Sequence, residues 1–394
     1  MLLAGIMVLA TLPCSAQEHA ADSVAADSSN FVTASLLILS ATNEVYSSFG
    51  HTVFRMECPS YNLDYVFTFE TDSDIGGFAT LFAGKAYAKF KAVKTTDFLE
   101  TIRSEGRGIM QYELNLAHHE KQELWRHLDN DMVEGASRKF NLKNNCVTTA
   151  ISKIHQSLIN EYLEWSPWQG EMLMNNGDLI RHYVRSSPWA EFLFVSFLGT
   201  HYDEQDPQDI RLSPENIVEN LSRASFVNTE SGKRRPVIEG KGKEILSAIA
   251  PDKRVSITPG VVFGFLLLIV CILTIMEWTT RWKKPARWLD VILLTTQTLA
   301  GILLLMMVFT SDVFGYRWNW YLIPINPLPF LLWLCLHKLK GFGKIYIYYT
   351  VGLVAFIALT PFISQLDVSH QLITAAFAVR CVSNYMTYKR TKEI

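Results

Sequence analysis

The chain has no excess of charge of either sign: 36 Lys and Arg stand against 38 Asp and Glu, a net charge of −2. A protein built around nucleic acid needs a basic surplus to meet phosphates, so no nucleic-acid partner is expected. No internal repeat and no low-complexity tract is present. Ten histidines occur, yet none falls in an HExxH or comparable ligand spacing, so neither a metal nor another cofactor is expected. No Lys or Arg precedes the first apolar run, Leu2 to Leu12, although Cys14-Ser15-Ala16 supplies small residues for a cleavage site. Residues 1–16 are therefore expected to be a signal peptide without its basic leader.

Export leaves few cysteines to explain. Cys14 goes with the leader, and Cys271, Cys335 and Cys381 fall in apolar spans. Only Cys58 and Cys146 remain in the segment expected to be exported, residues 17–256. In an oxidising compartment they either pair or stay free for chemistry.

The last third is abruptly apolar. After Pro259 five candidate spans follow: Val261–Trp278, Trp288–Thr310, Trp318–Leu336, Ile345–Ile363 and Val368–Met386. Each is close to the roughly 20 residues a bilayer requires. The basic connections 281–287 and 337–344 and the tail belong on the cytoplasmic side. An odd number of spans then places the preceding domain outside the cytoplasm. Within the third span "NWYLIPINPLPF" carries three prolines and two asparagines. It reads either as a kinked helix or as a broken, polar segment with Asn326 lining a lipid or substrate cavity. Arg380 in the last span is expected to snorkel to the interface.

In the exported segment, residues 31–115 read mostly as strands. "HTVFRM" and "LDYVFTFE" flank a turn-like "ECPSYN", which suggests a hairpin. "FNLKNNCVTTAISKIHQSL" puts apolar residues at Val147, Ile151, Ile154 and Leu158, one helical face. Asn144 and Asn145 precede that face and can accept from its first N–H groups. Cys146 then lies at a positive helix end, which favours a thiolate and a pKa below the ordinary thiol value.

A cysteine nucleophile needs a base, and His51 is the best placed histidine. It follows Ser47-Ser48-Phe49-Gly50 and opens a strand. A strand end beside a helix N-terminus is the papain-like arrangement, here with histidine before cysteine and so circularly permuted. In the hairpin, Asp64, Val66, Thr68 and Glu70 share a face near His51, so Thr68 or Glu70 can orient the imidazole. Arg107 in "SEGRGIM" meets either a substrate phosphate or carboxylate or merely a surface acid.

"SSFGHTVFRM", "LDYVFTFE", "GRGIMQYELNL", "NNCVTTAISKI" and "FTSDVFGYRWNWYLIPINPLPF", in that order, resemble Bacteroidota membrane proteins of the Lnb type. That family includes a lipoprotein N-acylation transferase. The resemblance implies an α+β, permuted papain-like (NlpC/P60- or LRAT-like) periplasmic domain, followed by an all-α transmembrane domain of about five helices, residues 257–394. It implies a dyad of Cys146 and His51; Asn145, Arg107 and Asn326, read from their own positions, are the candidate substrate contacts. Where the family often has Asn-Tyr-Gly, this chain has Thr68-Phe69-Glu70. Its partners would be diacylated lipoproteins and membrane phospholipid. The acyl chain would pass through Cys146 to the α-amine of a lipidated N-terminal cysteine. A membrane-anchored cysteine peptidase or amidase is the alternative, and a scaffold with a Cys58–Cys146 disulfide ranks third. Cys58 sits in the hairpin turn, at the end away from His51, which weighs against that bridge.

Overall fold

In "TASLLIL" and "HTVFRMEC" apolar side chains fall on both faces of an extended chain and bury on both, and both segments are strands. The computed structural model describes residues 32–42, 49–71, 83–141, 144–167, 187–199, 216–249, 257–280, 283–312, 314–331, 343–363 and 366–392, with a few isolated positions between them. The expected signal peptide lies outside the described residues.

The elements run in the order β1 (Thr33–Leu39), β2 (His51–Cys58), β3 (Leu63–Thr71), β4 (Tyr87–Lys94), α1 (Thr95–Ser104), β5 (Ile109–Leu114), α2 (His118–Val133), β6 (Ser137–Lys139) and α3 (Cys146–Ser157). They continue with β7 (Glu161–Glu164), α4 (Pro188–Phe197), α5 (Ile217–Arg223), β8 (Ser225–Asn228), β9 (Arg234–Pro236) and β10 (Ile238–Leu246). Seven strands form one antiparallel sheet ordered β10-β5-β1-β2-β3-β4-β6. The expected hairpin is β2–β3, with Phe54 opposite Phe67 and a short turn at Pro59–Tyr61. The polar stretch after residue 201 returns as β10 to pair with β5 at the sheet's edge.

Even-numbered residues of β2, among them Phe54 and Met56, face α2 and α3 in a core with Leu124, Val147 and Ile154. Odd-numbered Val53 faces the other side, with Val66, Phe98 and Ile102 of α1. The strand period of two thus gives the sheet two cores, and His51 and Thr52 begin on opposite faces.

Past Pro259 come α6 (Pro259–Thr279), α7 (Lys283–Thr310), α8 (Gly343–Leu359) and α9 (Val368–Lys392). α6 and α7 are long and apolar enough to cross a bilayer. Large apolar side chains such as Phe265, Leu268, Leu299 and Phe309 stand outward, which a soluble core helix would not permit. The third expected span is not a continuous helix in its described part. Residues 318–327 form turns around a short 3-10 helix at Trp320–Leu322, a helical start follows at 328–331, and 332–336 lie outside the described residues. Prolines at 324, 327 and 329 remove the donors a helix would need there. The freed carbonyls are met from within the protein. Gln297 Nε2 and the Tyr349 hydroxyl donate to Pro324 O, at 2.6 and 3.2 Å, and Asn326 Nδ2 donates to Leu322 O and Ile323 O. Gly301 lets α7 lie against this segment, since a Cβ there would come within 2.5 Å of Asn326 Cα.

Arg380 does not snorkel. It is buried between α6, α7 and α9, gripping both oxygens of Asp290 at 2.6 and 2.7 Å while also reaching Glu277 and Thr274. A guanidinium that meets two carboxylates inside the bundle has no need to reach the interface.

Candidate active site

Gly50 sets the start of β2. Its φ is +70°, and a Cβ would come within 2.9 Å of Leu39 O, so a side chain there is excluded twice over. His51 follows, and continuing the β2–β3 register places it opposite Glu70.

Its ring nitrogen Nε2 lies 2.8 Å from Thr68 Oγ1. That hydroxyl has one proton, which it donates to Glu70 Oε2 at 3.2 Å. Thr68 therefore accepts from Nε2–H, and the imidazole is the tautomer with a bare Nδ1. Lys91 Nζ, from β4, donates to Glu70 Oε1 at 2.9 Å and holds the carboxylate in place. Thr68 and Glu70 thus act in series rather than as alternatives. Lys91 was missed at the sequence level. Its signal was there, because alternation in "YAKFKAVK" puts Lys89 and Lys91 together on one face of β4.

Cys146 is the first residue of α3. Asn145 caps the helix, its Oδ1 accepting from Val147 N and Thr148 N, while Thr148 Oγ1 accepts from Asn145 N. That carbonyl oxygen is spent on the helix, so Asn145 aims Cys146. Asn144 instead closes a turn with Asn141. The thiol is 8% exposed and receives the backbone N–H of Thr52, the peptide that follows His51. Among the described residues no hydrogen bond joins thiol and imidazole directly. Strand alternation explains the gap: His51 starts on the Thr68 face, whereas the Cys146 helix packs on the Thr52 face.

The charge state overturns the sequence expectation. Burial pushes the Cys146 thiol up to about 11, against the opposing pull of backbone N–H groups and Arg107. Burial likewise takes His51 down to about 4, with Glu70 raising it and Arg107 lowering it. The helix end does act as expected, but desolvation outweighs it. Near neutral pH the pair is a thiol and a neutral imidazole.

Arg107 is 7% exposed. Its Nε donates to Ser40 O at 3.0 Å, just past the β1 residue that pairs with His51, and Nη1 reaches Glu105 at 3.4 Å. The expected surface acid is therefore present. Asn326 lies in the membrane half and its bonds are local. Cys58 and Cys146 are both free thiols, so the disulfide is absent. No group of metal-ligating side chains occurs among the described residues.

This end of the sheet faces the membrane helices. Phe49 clusters with Val184, Leu198, Met307 and Tyr316. Ala83 O accepts from Ser311 Oγ at 2.9 Å and from Asp312 N at 3.0 Å, and Lys139 pairs with Asp312.

A cysteine at a helix start, a histidine held by a hydroxyl–carboxylate relay and an attached apolar bundle together define a membrane-anchored thiol site. Residues 16–170 match the Lnb N-terminal periplasmic domain and residues 251–392 match the Lnb transmembrane domain. The chain belongs to the Lnb family: it is a membrane protein of lipoprotein biogenesis with a periplasmic domain. Comparisons with curated proteins and with solved structures return no match.

Proposed function

We propose that the protein is a lipoprotein N-acyltransferase working through a thioester on Cys146. The observation that carries this reading is the relay His51–Thr68–Glu70, one residue before the Thr52 N–H that meets the Cys146 sulfur, on the end of the domain that meets the membrane bundle. Histidine on β2 before cysteine on α3 supports a permuted papain-like core. Residues 17–256 form the periplasmic thiol domain, and about five helices in 257–394 hold it to the inner membrane.

In the first half-reaction, His51 Nδ1 takes the Cys146 proton as sulfur attacks the ester carbonyl of a membrane glycerophospholipid. The C–S bond forms, the C–O bond breaks, and the imidazolium returns the proton to the glycerol oxygen. In the second, the α-amine of a diacylated lipoprotein's N-terminal cysteine attacks the thioester. An N–C bond forms, sulfur leaves, and the amine proton restores the thiol through His51. Backbone N–H groups at the start of α3 and at Thr52 stabilise the negative sulfur and oxygen. Because resting thiol and imidazole are neutral, proton transfer accompanies attack and no standing ion pair precedes it.

Incubating the full chain with acyl-labelled phospholipid should leave label on the protein that neutral hydroxylamine removes. Cys146→Ala should abolish the label and lower N-acylation on the order of 10³-fold or more. Full lipoprotein N-acylation by Cys146→Ala would refute the mechanism, and cleavage of a peptide without acyl label would replace it with a peptidase.

A further inference from the structure

Two buried polar atoms at the Cys146 site have no hydrogen-bond partner: Thr52 Oγ1 and Arg107 Nη2. Only a few such atoms occur among the described side chains, so two on residues that both act on one thiol call for a reason. Thr52 is 2% exposed, and its own backbone N–H is the one on the sulfur. Arg107 is tethered on one side by Ser40 O, and its other side-chain contact is Glu105, whose own side chain is 44% exposed. A buried guanidinium is costly to keep, and leaving one of its nitrogens idle adds to that cost. Its charge acts on both Cys146 and His51.

We infer that Arg107 is the built-in counter-charge of the Cys146 site, its free Nη2 kept for the negative charge that appears on the sulfur when the proton leaves for His51. This assignment rests on the thiol chemistry proposed above and adds its electrostatic partner. In the resting site the sulfur is a neutral thiol and Nη2 has no acceptor. As sulfur releases its proton to Nδ1, one negative and one positive charge appear together. Arg107 stabilises the first while opposing the second, so the charge is not shared evenly. Thr52 Oγ1 supplies a neutral donor beside it. Glu105 and Glu70 are the acids that face Arg107 and His51, and each has its own cation, Arg107 and Lys91 respectively.

The test reads the thiol alone, so it stands apart from acyl transfer. The full chain in detergent is alkylated at pH 9 with neutral iodoacetamide or anionic iodoacetate, and Cys146 and Cys58 are quantified by peptide mass spectrometry. Arg107→Gln should slow Cys146 alkylation by iodoacetamide about 10-fold, one pKa unit in thiolate population. It should also lower the iodoacetate-to-iodoacetamide rate ratio several-fold. Arg107→Lys should restore most of that ratio. Cys58, buried in the same domain, must stay as slow as in the parent, which reports an intact fold. If the ratio were unchanged in Arg107→Gln while Cys58 stayed protected, the inference would be overturned. The same holds if only the KM for phospholipid rose, since Arg107 would then be a headgroup contact. If Cys58 became reactive in Arg107→Gln, the comparison passes to Arg107→Lys, whose rate ratio must stay within about twofold of the parent, and a larger drop would overturn it.

Discussion

Among the described residues two arginines are buried, one in each half, and the protein treats them differently. Arg380 in the membrane half uses its Nε, Nη1 and Nη2 on Asp290, Glu277 and Thr274, with Ser383 completing the set through Glu277. Arg107 in the periplasmic half has a carbonyl, a long contact to one acid and an idle Nη2. In a bilayer an unmet charge is too costly to keep, so Arg380 is closed on all sides and serves as a three-helix staple. In the water-facing domain the deficit at Arg107 is tolerable, and it lies where the proposed chemistry creates an anion. Full satisfaction marks a structural charge here, and partial satisfaction a working one.

The largest effect should come from opening the staple. Arg380→Leu leaves Asp290 and Glu277 buried without their cation, a loss of about 3–5 kcal/mol. The purified variant should melt well below the parent and lose membrane-domain integrity in detergent. Replacing Arg380 and both acids together with apolar residues should recover most of that loss. If Arg380→Leu melted like the parent, the contrast with Arg107 would collapse.

Next in size is the relay on the periplasmic side. Thr68→Val keeps the shape but removes the acceptor for Nε2–H, so the tautomer is no longer fixed and acyl labelling should fall roughly 10- to 100-fold. Glu70→Gln should cost less, because it acts through Thr68 and is held at the surface by Lys91. Equal losses in the two variants would mean that Glu70 touches the imidazole itself.

Much of this site was legible in the sequence because strands repeat every two residues. That period put Thr68 and Glu70 on one face and led from the turn at Pro59 back to His51. The Cys146 helix was legible from Val147, Ile151 and Ile154 with Asn145 before them. What was not legible is desolvation. A helix end can be read from letters, but the packing that makes Cys146 a neutral thiol comes from the core it shares with residues of other segments, Phe54 and Leu124 among them. Arg380 was misread for the same reason: its partners Asp290 and Glu277 are about 90 and 100 residues away. The β10 strand at the sheet edge escaped because its polar letters, "IEGKGKEIL", carry no buried face to betray it.

The charge state yields a pH test. A His51 held at about 4, below its ordinary 6.5, stays neutral and basic across the range where most histidine enzymes lose activity. A thiol near 11 stays protonated up to strongly alkaline pH. Acyl labelling should thus be nearly flat from pH 6 to 8, with its acid limb nearer 4 than 6.5. Iodoacetamide modification of Cys146 should instead climb steadily with pH over the same range. An acid limb at 6.5 would show an exposed imidazole.

The smallest effect should come from the proline-broken segment, where the membrane half resembles neither arginine site. Asn326 spends its amide on the carbonyls of Leu322 and Ile323, and its oxygen accepts from Leu328 N. These bonds stand in for the helix that prolines 324, 327 and 329 forbid. Asn326→Ala should therefore cost about 1–3 kcal/mol of stability, the penalty for unmet carbonyls away from water. Cys146 alkylation should be unchanged, since nothing in the relay moves. Acyl labelling, followed at a temperature where the variant is folded, should keep the parent's KM for phospholipid. A raised KM with an unchanged melting point would reverse this reading and make Asn326 part of a lipid path, because a side chain that lines a cavity can be shortened without loosening the backbone around it.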